Sequence, residues 1–489
     1  MIARLLRSRR AEAPPDVLDR SLITFNRSND RLTWRDVLGG GVSIIADSGS
    51  GKSSGVIFPL VRAIHSKRAS VVHITVKPDD SAKYRRLAEL NGRSDVRVFG
   101  IEDRYNPLAF EQSNAPAGTG LVENLTQLVL LPLRRQQRHG GSGDAFWKAD
   151  AERYVRHLVT IFTLAGEPLS YRLINECLLN LPEDPEDVQC QQWRSSNPAY
   201  GALVRAENQP LTPAQRGDLE DAAAFLLRTV PATPSRTRAS TVATVTSAID
   251  PYVRGEVGQV INAGHSTWTP DELVAQPGVV ILDLPLQSWG EIGGTIQRIL
   301  VSSIQRAILR RDLKEASHPV VLVMDEYQEF LDPKDDPAFM RTARDRRGCC
   351  ILATQCVGNI RDACGESRDP QAAAEAILGL PSVKFFGATT DPATLKYASE
   401  VFTHTLQPRI SFGNSQNSGD SKRPGSGTGR NTNISRELQP DVPHHEFVRL
   451  RRGGPGNGWN VDVFCSVSGR IWRASRRPSL KVTFQQIRL

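Results

Sequence analysis

The sequence lacks several patterns that would assign it to a specialised class of protein. Its seven cysteines form no Cys-x-x-Cys pair, which argues against a zinc ribbon and against a disulfide framework. Aromatic residues make up only 6% of the chain, and no apolar run approaches the roughly 18 residues of a transmembrane helix. No internal repeat is evident. What remains is a chain of 489 residues with ordinary globular composition, long enough for two or three domains.

The charge balance is mildly basic. Lysine and arginine number 61 against 53 aspartate and glutamate residues, which gives a formal net charge of +8. This excess is compatible with a polyanionic partner. The basic N-terminal stretch 1–10 has no apolar signal-peptide core, and the unpaired cysteines suit a reducing compartment. We therefore expect a cytoplasmic protein.

The most informative motif is a phosphate-binding loop, which reads Ala46-Asp47-Ser48-Gly49-Ser50-Gly51-Lys52-Ser53. An apolar run at 42–45 precedes it, and a predicted helix begins at Ser54, which is the strand–loop–helix context that a P-loop requires. The backbone N–H groups of Ala46–Ser54 would hold the phosphates of ATP. Lys52 would reach the β- and γ-phosphates, and the Ser53 hydroxyl would bind Mg²⁺.

An acidic pair far along the chain predicts the second half of the chemistry. Asp325 and Glu326 follow the continuous apolar run 320–324, which indicates a buried parallel strand. Ligands bind at the carboxyl ends of such strands. Asp325 would bind Mg²⁺ through water, and Glu326 would act as the general base on the attacking water.

A third strand is predicted at 349–355 and ends in Gln355, whose amide could sense the γ-phosphate. Before it stand four arginines within seven residues: Arg341, Arg344, Arg346 and Arg347. One of them could reach a neighbouring subunit's nucleotide as an arginine finger. A solvated basic helix end explains the same run, and the residues alone do not choose between the two.

The distribution of predicted strands and helices along the sequence predicts three domain segments. Residues 1–117 and 257–489 carry the predicted strands of one α/β nucleotide-binding domain with a mainly parallel sheet, including 71–76, 96–99, 279–284 and 383–386. Residues 118–256 show helical spacing, as at Tyr154, Leu158 and Phe162, and predict an inserted all-α domain. The tract 413–433 is rich in Gly, Ser and Asn and predicts a mobile loop.

With these pieces in order, the chain resembles the type IV coupling proteins, the TraD/TraG family of conjugation and type IV secretion ATPases, with wider kinship to FtsK and HerA motors. Besides the P-loop, the matching segments are 75–80, 97–99, 106–108, Phe146-Trp147, 282–285, 325–327 and 353–355. The resemblance implies a RecA-like fold and an ATPase that uses ATP and Mg²⁺. It also implies Gln355 as sensor and Arg344, eleven residues earlier, as finger, with Arg346 as the fallback.

Two departures from the family pattern stand out. The family usually begins with two transmembrane helices, and this chain contains no such segment. Docking to a membrane channel would therefore depend on partner proteins. Such partners would attach the protein peripherally to the inner membrane. The segment Lys77-Pro78-Asp79-Asp80 lacks the usual acidic-Gly ending, so no catalytic role is assigned to it.

Three functions follow from these observations. The leading one is a ring motor that moves single- or double-stranded DNA without reading its sequence. The resemblance implies that the ring is a homo-oligomer, a hexamer. The second is an ATP-switched receptor whose all-α domain recruits a relaxase or another secretion substrate for the channel proteins. The third keeps the motor but places it in genome packaging, repair or phage defence. The sequence does not decide between these pathways.

Overall fold

The computed structural model describes residues 17–114, 120–137, 145–365, 367, 369–416 and 428–489. Within these residues the strands are β1 (Ser21–Thr24), β2 (Arg31–Thr33), β3 (Val42–Ile45), β4 (Ser70–Ile74), β5 (Val96–Phe99), β6 (Val279–Leu282), β7 (Val320–Met324), β8 (Gly348–Thr354), β9 (Val383–Phe386), β10 (His404–Gln416), β11 (Thr428–Pro440), β12 (Asn460–Val467) and β13 (Leu480–Gln485).

α-Helices connect most of these strands, and a run of them lies between β5 and β6. They are α1 (Trp34–Val37), α2 (Phe58–His65), α3 (Asp80–Glu89), α4 (Pro107–Asn114), α5 (Leu121–Val129), α6 (Leu131–Gln137), α7 (Ala145–Ala165), α8 (Tyr171–Leu179), α9 (Gln191–Ser196), α10 (Pro198–Glu207), α11 (Pro213–Ala224), α12 (Val230–Ala232), α13 (Ser235–Ile249), α14 (Gly255–Ile261), α15 (Pro270–Ala275), α16 (Leu286–Arg310), α17 (Asp335–Thr342), α18 (Val357–Ala363), α19 (Pro370–Gly379), α20 (Pro392–Phe402) and α21 (His444–Val448). A π-helical turn, Ser53–Ile57, leads into α2.

The chain divides into two compact units. The first contains the described residues up to Ala63, together with Ala353–Asn359 and Pro381–Arg488, and the second contains Ile64–Leu352 and Ile360–Leu380. In the first unit, β3 pairs in parallel with β9, and β12 continues the sheet antiparallel to β9 and β13. The core includes edge-to-face contacts of Phe25 with Phe385 and Phe484.

The second unit contains a sheet whose strands run in the order β8-β7-β4-β6-β5, and every neighbouring pair is parallel. Strand β7 is completely buried, and so is β4. Burial on both faces explains why these strands read as continuous apolar runs rather than alternating ones. The predicted parallel sheet is therefore confirmed.

The stretch from α5 to α14, residues 121–261, contains helices and no strand within its described part. Its helix starts are fixed by local capping: the Ser170 hydroxyl accepts from Leu173 N–H, and Thr212 forms a capping box with Gln215. Phe146-Trp147, which the resemblance to the family would place at the head of a long helix, lies in the first turn of the 21-residue helix α7. The domain limits at 118 and 256 stay a prediction.

One expectation about the later elements is corrected. The tract 413–433 was expected to be a loop, but 413–416 and 428–433 belong to the antiparallel hairpin of β10 and β11, while 417–427 lies outside the described residues. The amphipathic pattern also predicts a long helix over about 293–310, and the structure has it as the main part of α16, in which the non-helical Gly290, at φ 56°, separates a short first turn from the long helix. Glycine tolerates this backbone conformation, so the helix can turn there.

Candidate functional site

The phosphate-binding loop lies between β3 and the helical segment that starts at Ser53, as predicted. Its first residues extend the sheet: Ala46 N–H donates to the Thr354 carbonyl at 3.2 Å, and Asp47 N–H donates to the Ala388 carbonyl at 3.0 Å. The loop then turns through Gly49 at φ 70° and Gly51 at φ 80°. Residues other than glycine rarely adopt such positive φ values, so the two glycines lie at the positions where the turn requires them.

The interior of this loop fits an anion. The Ser50 hydroxyl is buried, at 2% exposure for the residue, and has no hydrogen-bond partner in the described structure. Buried polar groups without partners are rare, and a ligand is one way to satisfy them. Lys52 is 7% exposed. A buried cation beside an unsatisfied hydroxyl at the start of a helix is the arrangement that binds phosphate.

The same unit brings Gln355 to the loop region. Thr354, the last residue of β8, is the residue whose carbonyl accepts from Ala46, and Gln355 follows it directly. The predicted sensor therefore lies one residue beyond the hydrogen bond that joins β8 to the first residue of the P-loop.

The acidic pair lies in the second unit, directly after β7. Asp325 Oδ1 accepts a hydrogen bond from Glu326 N–H at 3.0 Å, and the Gln328 amide donates to Glu326 Oε2 at 2.9 Å. Glu326 has φ 52° and ψ 53°, a left-handed conformation that is uncommon for residues other than glycine. Such backbone strain is often found at functional sites.

A buried ionic network fixes the turn that follows the acidic pair. The Tyr327 hydroxyl donates to Asp336 Oδ2 at 2.9 Å, and Arg298 Nη1 lies 2.7 Å from Asp336 Oδ1. Both charged side chains are almost fully buried. Burial alone would raise the pKa of the nearby Asp332, but the positive charges of Arg298 and Arg134 and hydrogen bonds from the backbone together outweigh it and lower that pKa to about 2. The Tyr327 hydroxyl is thus bound to a carboxyl group that is itself paired with Arg298.

The structure adds a carboxylate that the sequence analysis left without a role. Asp80 Oδ2 accepts hydrogen bonds from the N–H groups of Val76 and Lys77 at 3.0 and 2.8 Å. Burial raises the pKa of Asp80, and the negative charge of Asp325 adds to the rise. Asp80 therefore lies close enough to Asp325, the predicted magnesium ligand, for their charges to interact. The sequence did not reveal this, because the Lys77–Asp80 segment departs from the family pattern.

The four clustered arginines differ in their surroundings. Arg346 Nη1 donates to the Arg311 carbonyl at 2.9 Å, and Arg347 Nη1 donates to the Ser317 carbonyl. Arg341 and Arg344 are exposed, and within the described residues neither side chain makes a hydrogen bond or an ion pair. The fallback candidate, Arg346, is thus already engaged within its own chain, whereas Arg344 is not.

A second missed contribution comes from the C-terminal part of the chain. Gln486 Nε2 donates to Ser54 Oγ at 2.8 Å, and Ile487 N–H donates to the Ser54 carbonyl at 2.9 Å. The Val461 side chain packs against Gly51, where an added Cβ would lie 2.6 Å from its Cγ2. The hydroxyl of Ser54, a residue predicted to contact the nucleotide, therefore accepts a hydrogen bond from Gln486, which is 432 residues away in the sequence.

The described ranges lack two further features, a membrane-spanning helix and a metal-binding cluster of side chains. None of the helices there is both long and apolar enough to cross a bilayer. The same residues contain no group of three or more His, Cys, Asp and Glu side chains placed to hold a metal ion. A Mg²⁺ site of the P-loop type needs no such cluster, since a hydroxyl, one carboxylate, water and the phosphates supply its ligands.

Comparisons with known proteins agree with this description. A family model for the TraM recognition site of TraD and TraG matches residues 319–452. A search of curated proteins finds no match. The bacterial conjugative coupling protein TrwB, in its unbound form, is 13% identical with a TM-score of 0.60, over 96% of this chain and 90% of that one.

Two further solved structures show the same fold. TrwB in complex with ADP and Mg²⁺ is 13% identical with a TM-score of 0.60, over 95% of this chain and 89% of that one. VirB4 of Thermoanaerobacter pseudethanolicus is 15% identical with a TM-score of 0.50, over 96% of each chain. The predicted RecA-like P-loop fold with a helical region is confirmed, and so is the resemblance to the type IV coupling proteins of the TraD/TraG family.

Proposed function

We propose that the chain is an ATP-hydrolysing motor that works as a ring, a hexamer, and moves DNA in a conjugation or type IV secretion pathway. The observation that carries the proposal is the phosphate-binding loop, whose buried Lys52 and unsatisfied Ser50 hydroxyl suit a nucleotide. TrwB, which has the same fold, is known in complexes with ADP and Mg²⁺ and with a non-hydrolysable ATP analogue.

In this proposal each predicted residue has one task. Lys52 binds the β- and γ-phosphates, and Ser53, with Asp325 through water, would hold Mg²⁺, which would neutralise phosphate charge. Glu326 accepts the proton of the attacking water, and Gln355 senses the γ-phosphate. The left-handed backbone of Glu326 and its bond from Gln328 aim the carboxylate, so the proton acceptor is oriented before the substrate arrives.

The trans-acting residue in this proposal is Arg344. A finger must reach a nucleotide on the neighbouring subunit, so it needs a side chain that its own chain does not hold. Arg344 is exposed and makes no hydrogen bond or ion pair with the described residues, whereas Arg346 and Arg347 bind backbone carbonyls of their own chain. Arg341 shares the exposure of Arg344 but lacks its spacing to Gln355.

The receptor function remains a second candidate because of one specific observation. The family description that matches residues 319–452 names a recognition site for TraM. We therefore propose that a protein of the DNA-processing complex binds within these residues. In the motor this contact recruits cargo, and in the receptor it is the main activity.

DNA-dependent hydrolysis separates the two. For the motor, single- or double-stranded DNA should raise the ATPase rate, and DNA affinity should fall steeply with salt. Each neutralised phosphate contributes about −0.7 to the log–log slope for single strands and about −0.9 for duplex, so a ring that grips several phosphates should show a slope of several units. A flat salt response without stimulation by either DNA form would remove the motor and leave the receptor.

A further inference from the structure

Arg452 places a cation beside the phosphate-binding loop. Its Nη2 lies 3.5 Å from Oδ2 of Asp47, the second residue of that loop, and its side chain is 44% exposed. The Arg452 carbonyl also borders the loop, 3.0 Å from where a Cβ on Gly51 would lie. The guanidinium thus reaches the loop mouth from a segment that no motif connects with nucleotide binding.

The backbone under Arg452 is fixed by several contacts. Arg452 forms a β-bridge with Val461, and Gly453 N–H donates to the Asn460 carbonyl at 3.0 Å. Gly454 N–H donates to Gln486 Oε1 at 2.7 Å, and the other end of that amide binds Ser54. The start of the arginine side chain is therefore held in place relative to the loop, which lowers the entropy cost of a contact made by its tip.

The carboxylate of Asp47 gives the positive charge of Arg452 a role in nucleotide binding. Its carboxylate accepts from Thr390 N–H at 3.1 Å, so its position beside the loop is fixed. A triphosphate brings several negative charges to the loop, and an uncompensated carboxylate there would oppose its binding. Arg452 compensates that charge. A guanidinium carries five N–H donors in a planar fork, and its pairing with Asp47 leaves others free to bind phosphate.

We propose that Arg452 is a nucleotide-binding residue that contacts a phosphate of the nucleotide held by the P-loop of its own chain, with Asp47 orienting the guanidinium. The inference rests on the proposed function, since it concerns the same nucleotide. It differs from the arginine-finger role of Arg344 because Arg452 acts in cis and is required for binding, whether or not the ring has formed.

The first experiment measures equilibrium binding of MgATP and MgADP to the full chain. Arg452→Ala should weaken both about tenfold, which is the scale of one charge-assisted hydrogen bond. The matched control is Arg451→Ala, because the neighbouring Arg451 pairs with Asp462 at 2.7 Å instead of with the loop. The control should stay within twofold of wild type, and Arg452→Gln, which keeps the stem but not the charge, replaces the alanine variant if that protein does not fold.

The second experiment separates contact from charge compensation. Asp47→Asn removes the carboxylate, and Arg452→Ala is then introduced in that background. A further loss of about tenfold supports a direct phosphate contact. Equal affinities of Asp47→Asn and the double variant would overturn the proposal, because Arg452 would then act only by neutralising Asp47.

The outcomes also distinguish this inference from the proposed function. If wild-type protein binds neither MgATP nor MgADP, the nucleotide function itself fails. If wild type binds both and Arg452→Ala binds them equally well, the ATPase proposal stands and the role of Arg452 is refuted.

Discussion

The P-loop region and the acidic-pair region hold their functional groups by opposite means. Around Lys52 the structure uses backbone conformation and small residues, with Gly49 and Gly51 in left-handed geometry. Around Glu326 it uses a buried ion pair between residues distant in sequence, Arg298 and Asp336, and Asp336 also accepts a hydrogen bond from Tyr327. The turn in the first region is set by neighbouring residues of the loop itself, whereas the second region depends on side chains from separate helices. Substitutions in the first should therefore disable the chemistry, whereas substitutions in the second should also endanger folding.

The largest effect is expected from Lys52→Ala. Removing the cation that binds the β- and γ-phosphates should abolish measurable hydrolysis and weaken nucleotide binding, with little change in thermal stability, because the turn itself is set by glycine. Lys67→Ala, an exposed lysine beyond α2, is the matched control. Steady-state ATPase assays and a thermal melt test this, and hydrolysis within twofold of wild type would overturn the P-loop assignment.

Glu326→Gln should separate binding from turnover in the acidic-pair region. The amide keeps the shape of the side chain but cannot accept the proton, so ATP binding should persist while the rate falls about 10²–10⁴-fold. Glu315→Gln, an exposed residue before β7, should leave both unchanged. A Glu326→Gln protein that folds but cannot bind MgATP would show that the residue is structural rather than catalytic.

Arg344→Ala tests whether that region acts on a neighbouring subunit. Loss of one electrostatic contact to the transition state should lower the rate about 10²–10³-fold. Doping the variant into wild-type protein should reduce activity more than proportionally, since each site would need a neighbour. Strictly linear loss with dose would argue against action in trans, and an equal effect of Arg346→Ala would move the finger to that residue.

The smallest effect on chemistry, and the largest on stability, should come from Asp336→Asn. Arg298 would keep its buried charge but lose the carboxylate 2.7 Å from its Nη1, which should lower the free energy of unfolding by about 3 kcal/mol. At temperatures where the variant is folded, its rate should fall less than tenfold. Asp335→Asn, with a less buried side chain, is the control. Denaturant unfolding gives the comparison, and equal stabilities of the two variants would show that the network does not hold the turn.

Much of the fold could be predicted because it depends on local patterns. The strands at 42–45, 96–99, 320–324 and 383–386 have the predicted limits. At 320–324 the reason is continuous burial, which leaves an unbroken apolar run. The hairpin of β10 and β11 was missed for the opposite reason. Its Gly-, Ser- and Asn-rich composition is typical of loops, and only the pairing of the two strands shows otherwise.

Only part of the candidate site could be predicted from the sequence. The P-loop carries its geometry in its own sequence. Gln486 and Arg452 lie far along the chain and occur in no recognisable pattern, so only folding reveals that they reach Ser54 and Asp47. Asp80 was set aside because its segment departs from the family pattern, although the charge of Asp325 acts on it.

The left-handed backbone of Glu326 has a consequence for how this protein can change. A residue with a Cβ costs roughly 1–2 kcal/mol in that conformation, whereas glycine occupies it freely. Selection for thermal stability alone would therefore favour glycine at this position and remove the proposed proton acceptor. A glutamate kept there against its own backbone preference marks a position where activity and stability pull in opposite directions.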